Sequence, residues 1–240
     1  MKQFAEYLNK TNKKRFLDVC SGVGNFAHWV ASIYDGYDEM IGVDTMEKAI
    51  VMANQKSPND RIKFEVADVY DLPYEDASFD VVSLQYSLHH LADSERALKE
   101  MARVLKDDGF IVVNEMLKEP LDDAQVSHRL VHHFAAKIDR LNGDPHGETY
   151  NKEDIINLLQ PLCELELKEL WELDFGDMPD VSDAQIEQIL GILDQLLTRI
   201  PEDIDKTPYE EEVQSIKDYI KTHRYAPATN VLAILTKTEC

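Results

Sequence analysis

Apolar and polar positions alternate in two rhythms along this 240-residue chain. Short apolar runs recur at Phe16, Leu17 and Val19, at Met40-Ile41-Gly42-Val43, at Ile62, Phe64 and Val66, at Phe79–Leu84 and at Phe110–Asn114. Their length and β-branched content predict strands. Between them, apolar residues return every three or four positions and predict helices over 25–34, 47–55 and 93–105, the last with Ala97, Leu98, Met101, Val104 and Leu105 on one face. A short helix over Phe4–Asn12 is expected at the site entrance, a loop over 70–78, and a turn at Asp107-Asp108-Gly109. Strand and helix in alternation predict an α/β fold with a doubly wound parallel sheet. Ligand in such a sheet lies at the carboxyl ends of the strands.

The second half is patterned differently. Asp122–Leu141 reads as a long helix with Val126, Leu130, Phe134, Ile138 and Leu141 along one stripe. A loop follows at 142–147, then a helix with Asn151 as N-cap, a strand near 163–173 and a last strand over Asn230–Lys237. Between these last two strands lies a helical insertion, too long for a loop. One helix starts at Ser182 with Gln185 in the reciprocal capping position, the other at Thr207, Pro208 and Glu210 in capping-box order. Each carries one apolar stripe, so each must bury it. A cap over the acceptor site is the favoured arrangement, and a dimer contact is the alternative.

The first strand runs into Leu17-Asp18-Val19-Cys20-Ser21-Gly22-Val23-Gly24-Asn25-Phe26-Ala27. Gly22 and Gly24 allow a tight turn and a close backbone approach to a ligand, and the helix beyond offers free N–H groups. The pattern also fits the relaxed dinucleotide fingerprint. Asp44, ending the second strand, would grip the ribose of either cofactor. Asp18 breaks the tie: a carboxylate repels a pyrophosphate and attracts an ammonium group. Asp68, ending the third strand, suits an adenine amino group. A ligand with ribose, adenine and a zwitterionic tail is S-adenosylmethionine.

On these residues the chain resembles the class I S-adenosylmethionine-dependent methyltransferases, and within them the type 11 small-molecule group. The matching stretches are 17–27, 41–54, 66–82 and 83–113, in family order. Cys20-Ser21 stands where that group usually carries Gly or another small residue. The resemblance implies a seven-stranded Rossmann-like sheet whose last strand is antiparallel, in a single domain. Within it, 1–14 would form the entrance helix, 117–150 an acceptor-side segment and 174–228 the acidic cap. It implies that Asp18, Cys20, Gly22, Gly24 and Gln85 surround the methionine end, that Asp44 binds ribose, and that Thr45, Met46, Asp68 and Val69 surround the adenine. The expected reaction is in-line methyl transfer to a small molecule, leaving S-adenosylhomocysteine. Tyr86 and His89, at the end of the fourth strand, are expected on the acceptor side, together with His132. The alternatives are a cofactor-binding regulatory protein without turnover, a protein methyltransferase and a nicotinamide-dependent oxidoreductase.

Charge narrows the partners. With 25 Lys and Arg against 46 Asp and Glu, the net charge is −21, and residues 172–218 contribute −11 of it through 14 acids and 3 bases. Such a field repels a phosphate backbone, so nucleic acid is not an expected partner. No run is long enough to span a bilayer and residues 1–6 carry no signal-peptide core, so a cytoplasmic monomer or homodimer is expected. Cys20, Cys163 and Cys240 show neither a disulfide framework nor a zinc knuckle.

The histidines of 128–133 are the distinctive feature. His128 and His132 lie one turn apart on one helix face, and His133 falls near the edge of the apolar stripe. A substrate-binding role suits them. No metal is expected. His128, His132 and Glu115 are the residues that could hold one, His146 would have to join from elsewhere, and Asp139, about two turns beyond His132, is too far along the helix to share an ion with it.

Overall fold

Alternate residues of each central strand enter two separate apolar clusters, one on each face of a single sheet. In β1 (Arg15–Val19), Leu17 and Val19 face one cluster and Phe16 the other. The same division separates Ile111 and Val113 from Phe110 and Val112 in β5 (Leu105–Met116), and Val231, Ala233 and Leu235 from Leu232 and Ile234 in β7 (Asn230–Lys237). Period-two burial on both faces requires helices on both sides. The computed structural model, which describes residues 2–57, 60–119, 121–160, 164–173 and 181–238, supplies them. On the first face lie α4 (Ser94–Val104) and α6 (Lys152–Leu159), through Leu98, Met101, Ile155 and Leu159. On the second lie α1 (Lys2–Asn9), α2 (Asn25–Ile33) and α3 (Glu47–Lys56), through Phe4, Leu8, Val30 and Ile50.

The sheet has seven strands in the order β3-β2-β1-β4-β5-β7-β6, with β2 at Glu39–Asp44, β3 at Ile62–Val66, β4 at Phe79–Gln85 and β6 at Leu165–Leu173. The pairs β1–β2, β1–β4, β2–β3 and β4–β5 are parallel, whereas β7 runs antiparallel to both β5 and β6. The strand order reverses between β1 and β4, and the switch point opens a crevice above their carboxyl ends.

Three local expectations are corrected. Helix α1 ends at Asn9 rather than residue 12, because the Thr11 hydroxyl and N–H both donate to the Leu8 carbonyl, which closes the last turn. Residues 107–109 are not a free turn before a strand at Phe110. Leu105 already pairs with Phe79, Phe110 pairs with Val81, and 106–109 form a bulge within β5. Gly109 fits there because a side chain would meet the Asp80 carbonyl at 2.8 Å. Thr207 is not an N-cap: it is the first residue of α8 (Thr207–His223), and its N–H donates to the Asp205 carboxylate.

The stripe of α5 (Asp123–Leu141) faces the insertion. Phe134 and Ile138 are buried with Leu190 and Leu193 of α7 (Asp183–Thr198) and with Ile216 and Ile220 of α8. The three helices share an apolar cluster separate from the two on the sheet faces. Ser182 caps α7, its hydroxyl accepting from the Gln185 N–H, as its position predicts. The first residues of the expected cap, 174–180, lie outside the described residues, as do Cys163 and Cys240.

Candidate active site

The β1–α2 turn is forced into shape by three left-handed residues: Cys20 (φ 53°), Gly22 (φ 52°) and Gly24 (φ 80°). Gly24 is required twice over. Besides its φ, a Cβ there would stand 2.3 Å from Phe64 Cζ of β3. Gly24→Ala is therefore expected to cost about 1–3 kcal/mol through overpacking, read as a lower urea midpoint at unchanged m. A midpoint equal to wild type would show that Phe64 yields freely. Asp44 fastens the turn to β2: its Oδ2 accepts from the Gly22 N–H and its Oδ1 from the Met46 N–H, both at 2.8 Å. A carboxylate has about four lone-pair positions, so Asp44 keeps acceptor capacity for another ligand.

A cavity of about 430 Å³ lies above this turn, lined by Asp18, Gly22, Phe26, Trp29, Gln85 and Tyr86 among others. Asp18 and Ser83 are register partners in β1 and β4, and the Ser83 hydroxyl donates to Asp18 Oδ1 at 2.6 Å. Asp18 Oδ2, both ends of the Gln85 amide and Asn114 Oδ1 are buried without a hydrogen-bond partner among the described residues. All three residues line the cavity. Orphan polar atoms at that density are costly unless a ligand satisfies them. Burial raises the Asp18 carboxyl to about 7, with Ser83 opposing and Asp44 reinforcing the shift. A cation beside it would restore the carboxylate. The same burial, with Asp44, Asp18 and Asp68 nearby, raises Cys20 to about 12, which makes it a packing thiol rather than a nucleophile.

Farther along the crevice, Thr45 and Met46 are exposed, Met46 at 62%, and Val69 is buried beside the exposed Asp68. Asp68 Oδ1 accepts from the Tyr70 N–H and holds its own loop. The structure thus sets Asp18, Cys20, Gly22 and Gln85 around one cavity, while Asp44, Thr45, Met46, Asp68 and Val69 follow the ends of β2 and β3. Phe26, Trp29 and Asn114 were not singled out from the sequence. Phe4 of α1 stacks on both Phe26 and Trp29 and so supports the cavity wall.

A second cavity of about 420 Å³, largely apolar, lies on the other side of Tyr86 and includes His89, Met116, His128, His132 and Asn230 in its lining. Tyr86 belongs to both linings. Its backbone is left-handed (φ 49°), which turns the chain sharply off β4, and Asn230 donates to its hydroxyl. The acceptor-side residues expected from the sequence, Tyr86, His89 and His132, meet here.

The candidate metal set of His128, His132 and Glu115 does not assemble. The Ala228 N–H donates to His128 Nδ1 at 3.0 Å. Glu115 is fully buried behind His89, with Oε1 accepting from the Met116 N–H and Oε2 from the Leu88 N–H. His132 sits instead with His89 and His146. His133 leaves the cluster to contact Thr149, its Nε2 lying 2.9 Å from the hydroxyl.

Residues 17–113 match the Methyltransferase domain family. The uncharacterized methyltransferase YcgJ of Bacillus subtilis is 34% identical over 119 residues, covering 48% of this chain and 46% of that protein. The 27-O-demethylrifamycin SV methyltransferase of Amycolatopsis mediterranei is 37% identical over 110 residues, covering 44% and 40%. The demethylmenaquinone methyltransferase of Staphylococcus aureus is 32% identical over 123 residues, covering 51% of each. The chain thus spans about half the length of these curated relatives. Over its full length it superposes on a putative methyltransferase from Bacillus halodurans (TM-score 0.65, 16% identity, 100% of both chains) and on the YcgJ structure (TM-score 0.60, 19% identity, 100% of both). Residues 17–113 thus match the Methyltransferase domain family, and the seven-stranded sheet that contains them has the fold of these methyltransferase structures.

Proposed function

We propose that this protein transfers a methyl group from S-adenosylmethionine to a small-molecule acceptor. The carrying observation is the pair of cavities that meet at Tyr86, one of them lined by orphaned polar atoms around a buried acid. A sulfonium cofactor brings its own activated methyl group, so the protein's task is to align donor and acceptor. Asp18 and Gln85 would hold the amino-acid end. Gly22 and Gly24, with Cys20 beside them, would bring backbone close to it. Asp44 would take the ribose hydroxyls, with Thr45, Met46, Asp68 and Val69 about the adenine. The methyl group would then point past Tyr86 toward the cavity of His89 and His132, and transfer would be an in-line displacement.

Two named relatives methylate small molecules, a demethylmenaquinone and a demethylrifamycin, which supports that acceptor class. The acidic surface supports it too, by repelling nucleic acid. Helices α7 and α8 would act as a cap by buttressing α5, which carries His128 and His132 into the acceptor cavity. No helix among the described residues is long and apolar enough to cross a membrane. The test is release of S-adenosylhomocysteine from S-adenosylmethionine with a panel of quinols, phenols, amines and thiols. Acceptor-dependent release is the expected result. Cofactor binding with no release against any acceptor would favour a regulatory binding protein, and release only with protein acceptors would favour a protein methyltransferase.

A further inference from the structure

We propose that His89, His132 and His146 form a binding site for a divalent transition-metal ion, zinc by its ligand chemistry, at the wall of the acceptor-side cavity. One ring nitrogen from each lies within 4.8 Å of those of the other two. An ion at the centre of such a triangle would stand about 2.8 Å from each nitrogen at most, so rings relaxing inward by about 0.7 Å would reach ordinary zinc–nitrogen bonds. The three come from separate parts of the fold: the 3-10 turn Leu88–His90 after β4, α5, and the loop that follows α5.

Their surroundings match those of metal ligands rather than of core histidines. His89 Nε2, His132 Nδ1 and His146 Nε2 are buried and have no hydrogen-bond partner among the described residues. A core histidine normally satisfies its nitrogens. One of the three is backed by a carboxylate hydrogen bond on the opposite nitrogen, Asp139 Oδ2 at 2.6 Å from His146 Nδ1, while Glu115 Oε2 lies 2.9 Å from His89 Nδ1 without hydrogen-bond geometry. The Asp139 contact is the outer arrangement that fixes the tautomer of a metal-bound histidine and raises its basicity. Asp139 is itself held by Arg199 of the insertion at 2.5 Å. The rings pack edge to face or stacked, with centroids 4.8 to 5.3 Å apart.

Three imidazoles without a thiolate or a directly ligating carboxylate select zinc, cobalt or nickel over magnesium and calcium. His89 and His132 also line the acceptor-side cavity, so a fourth coordination position would open toward it and take water or an acceptor oxygen or sulfur.

The site is tested by metal titration of chelator-treated full-length protein, followed by the visible absorption of bound Co2+ and by zinc content after dialysis. One equivalent of Co2+ with tetrahedral-type absorption, displaced by Zn2+, is expected. His132→Ala and His146→Ala should each weaken binding by at least tenfold, and Asp139→Asn by about 10-fold to 100-fold. His223→Ala, a histidine on α8 away from the cluster, should bind as wild type does. Unfolding of a variant is separated from loss of ligation by its circular dichroism. If His132→Ala or His146→Ala does not fold, the more conservative His132→Gln and His146→Gln replace them. Absence of saturable Co2+ and Zn2+ binding by the wild-type protein, or equal binding by folded variants, would overturn the proposal.

Discussion

Asp18→Asn is expected to weaken S-adenosylmethionine binding by ~10²–10³-fold at pH 8 and, at the same pH, to make the ligand-free protein more stable. Both effects follow from one buried acid. In the free protein its carboxyl is raised to about 7, far above its ordinary value, because burial penalises the charge and Oδ2 has no partner among the described residues. For a raised acid the folded chain binds more protons than the unfolded chain between about pH 4 and 7, so stability falls as pH rises through that window. The loss is about 4 kcal/mol and is complete above pH 7. Asparagine has no proton to lose and avoids it. The cofactor's ammonium group reverses the balance, since it favours the carboxylate. Wild-type affinity should therefore fall about tenfold per pH unit below 7, with proton release on binding, and the gap to Asp18→Asn should close near pH 5. Isothermal titration in buffers of different ionisation enthalpy measures this directly. A pH-independent affinity would mean that Asp18 does not meet the ammonium group.

Asp44→Ala is expected to reduce cofactor affinity by a further route, about 10²–10³-fold and with little pH dependence from pH 6 to 8. The side chain holds the Gly22 and Met46 N–H groups, so its loss loosens the turn that shapes the cavity. On the proposed function, it would also remove the acceptor for the ribose hydroxyls. Hydrogen bonds to a charged group contribute about 1.5–3 kcal/mol each, so losing two accounts for the effect. Asp44→Asn should recover part of the binding. With a demethylated product analogue lacking the ribose hydroxyls, the difference between wild type and Asp44→Ala should shrink to the part due to the turn, and an undiminished difference would assign the whole effect to the turn.

The sheet and the cofactor turn were legible because their signals are local. Gly22 and Gly24 mark a backbone that only glycine adopts comfortably, and the apolar periods of β1 to β5 follow from burial on two faces. Asp18 could be singled out as a cavity residue because electrostatics separates an ammonium from a pyrophosphate without knowledge of neighbours. Ser83 could not, because its link to Asp18 depends on the β1–β4 register across 65 residues. The grouping of His89, His132 and His146 could not be assembled from the sequence for the same kind of reason. Along the α5 axis Asp139 lies too far from His132 to share a ligand. The chain beyond α5 folds back, with the Asp144 N–H on the Asp139 carbonyl, and carries His146 to both of them. Helical geometry describes one helix and says nothing of a loop that returns along it. The misplaced cap at Thr207 shows the same limit at short range: Asp205, two residues earlier, accepts the Thr207 N–H that the Glu210 side chain of a capping box would take.

The central claim is that the cavity over Gly22 is shaped for a zwitterionic sulfonium nucleoside with Asp18 at its amino end. Competition titration with S-adenosylhomocysteine, S-adenosylmethionine and NAD tests it most directly. One-to-one binding of both sulfur nucleosides, unaffected by excess NAD, is the predicted result. Saturable NAD binding that displaces nothing because neither sulfur nucleoside binds would contradict it.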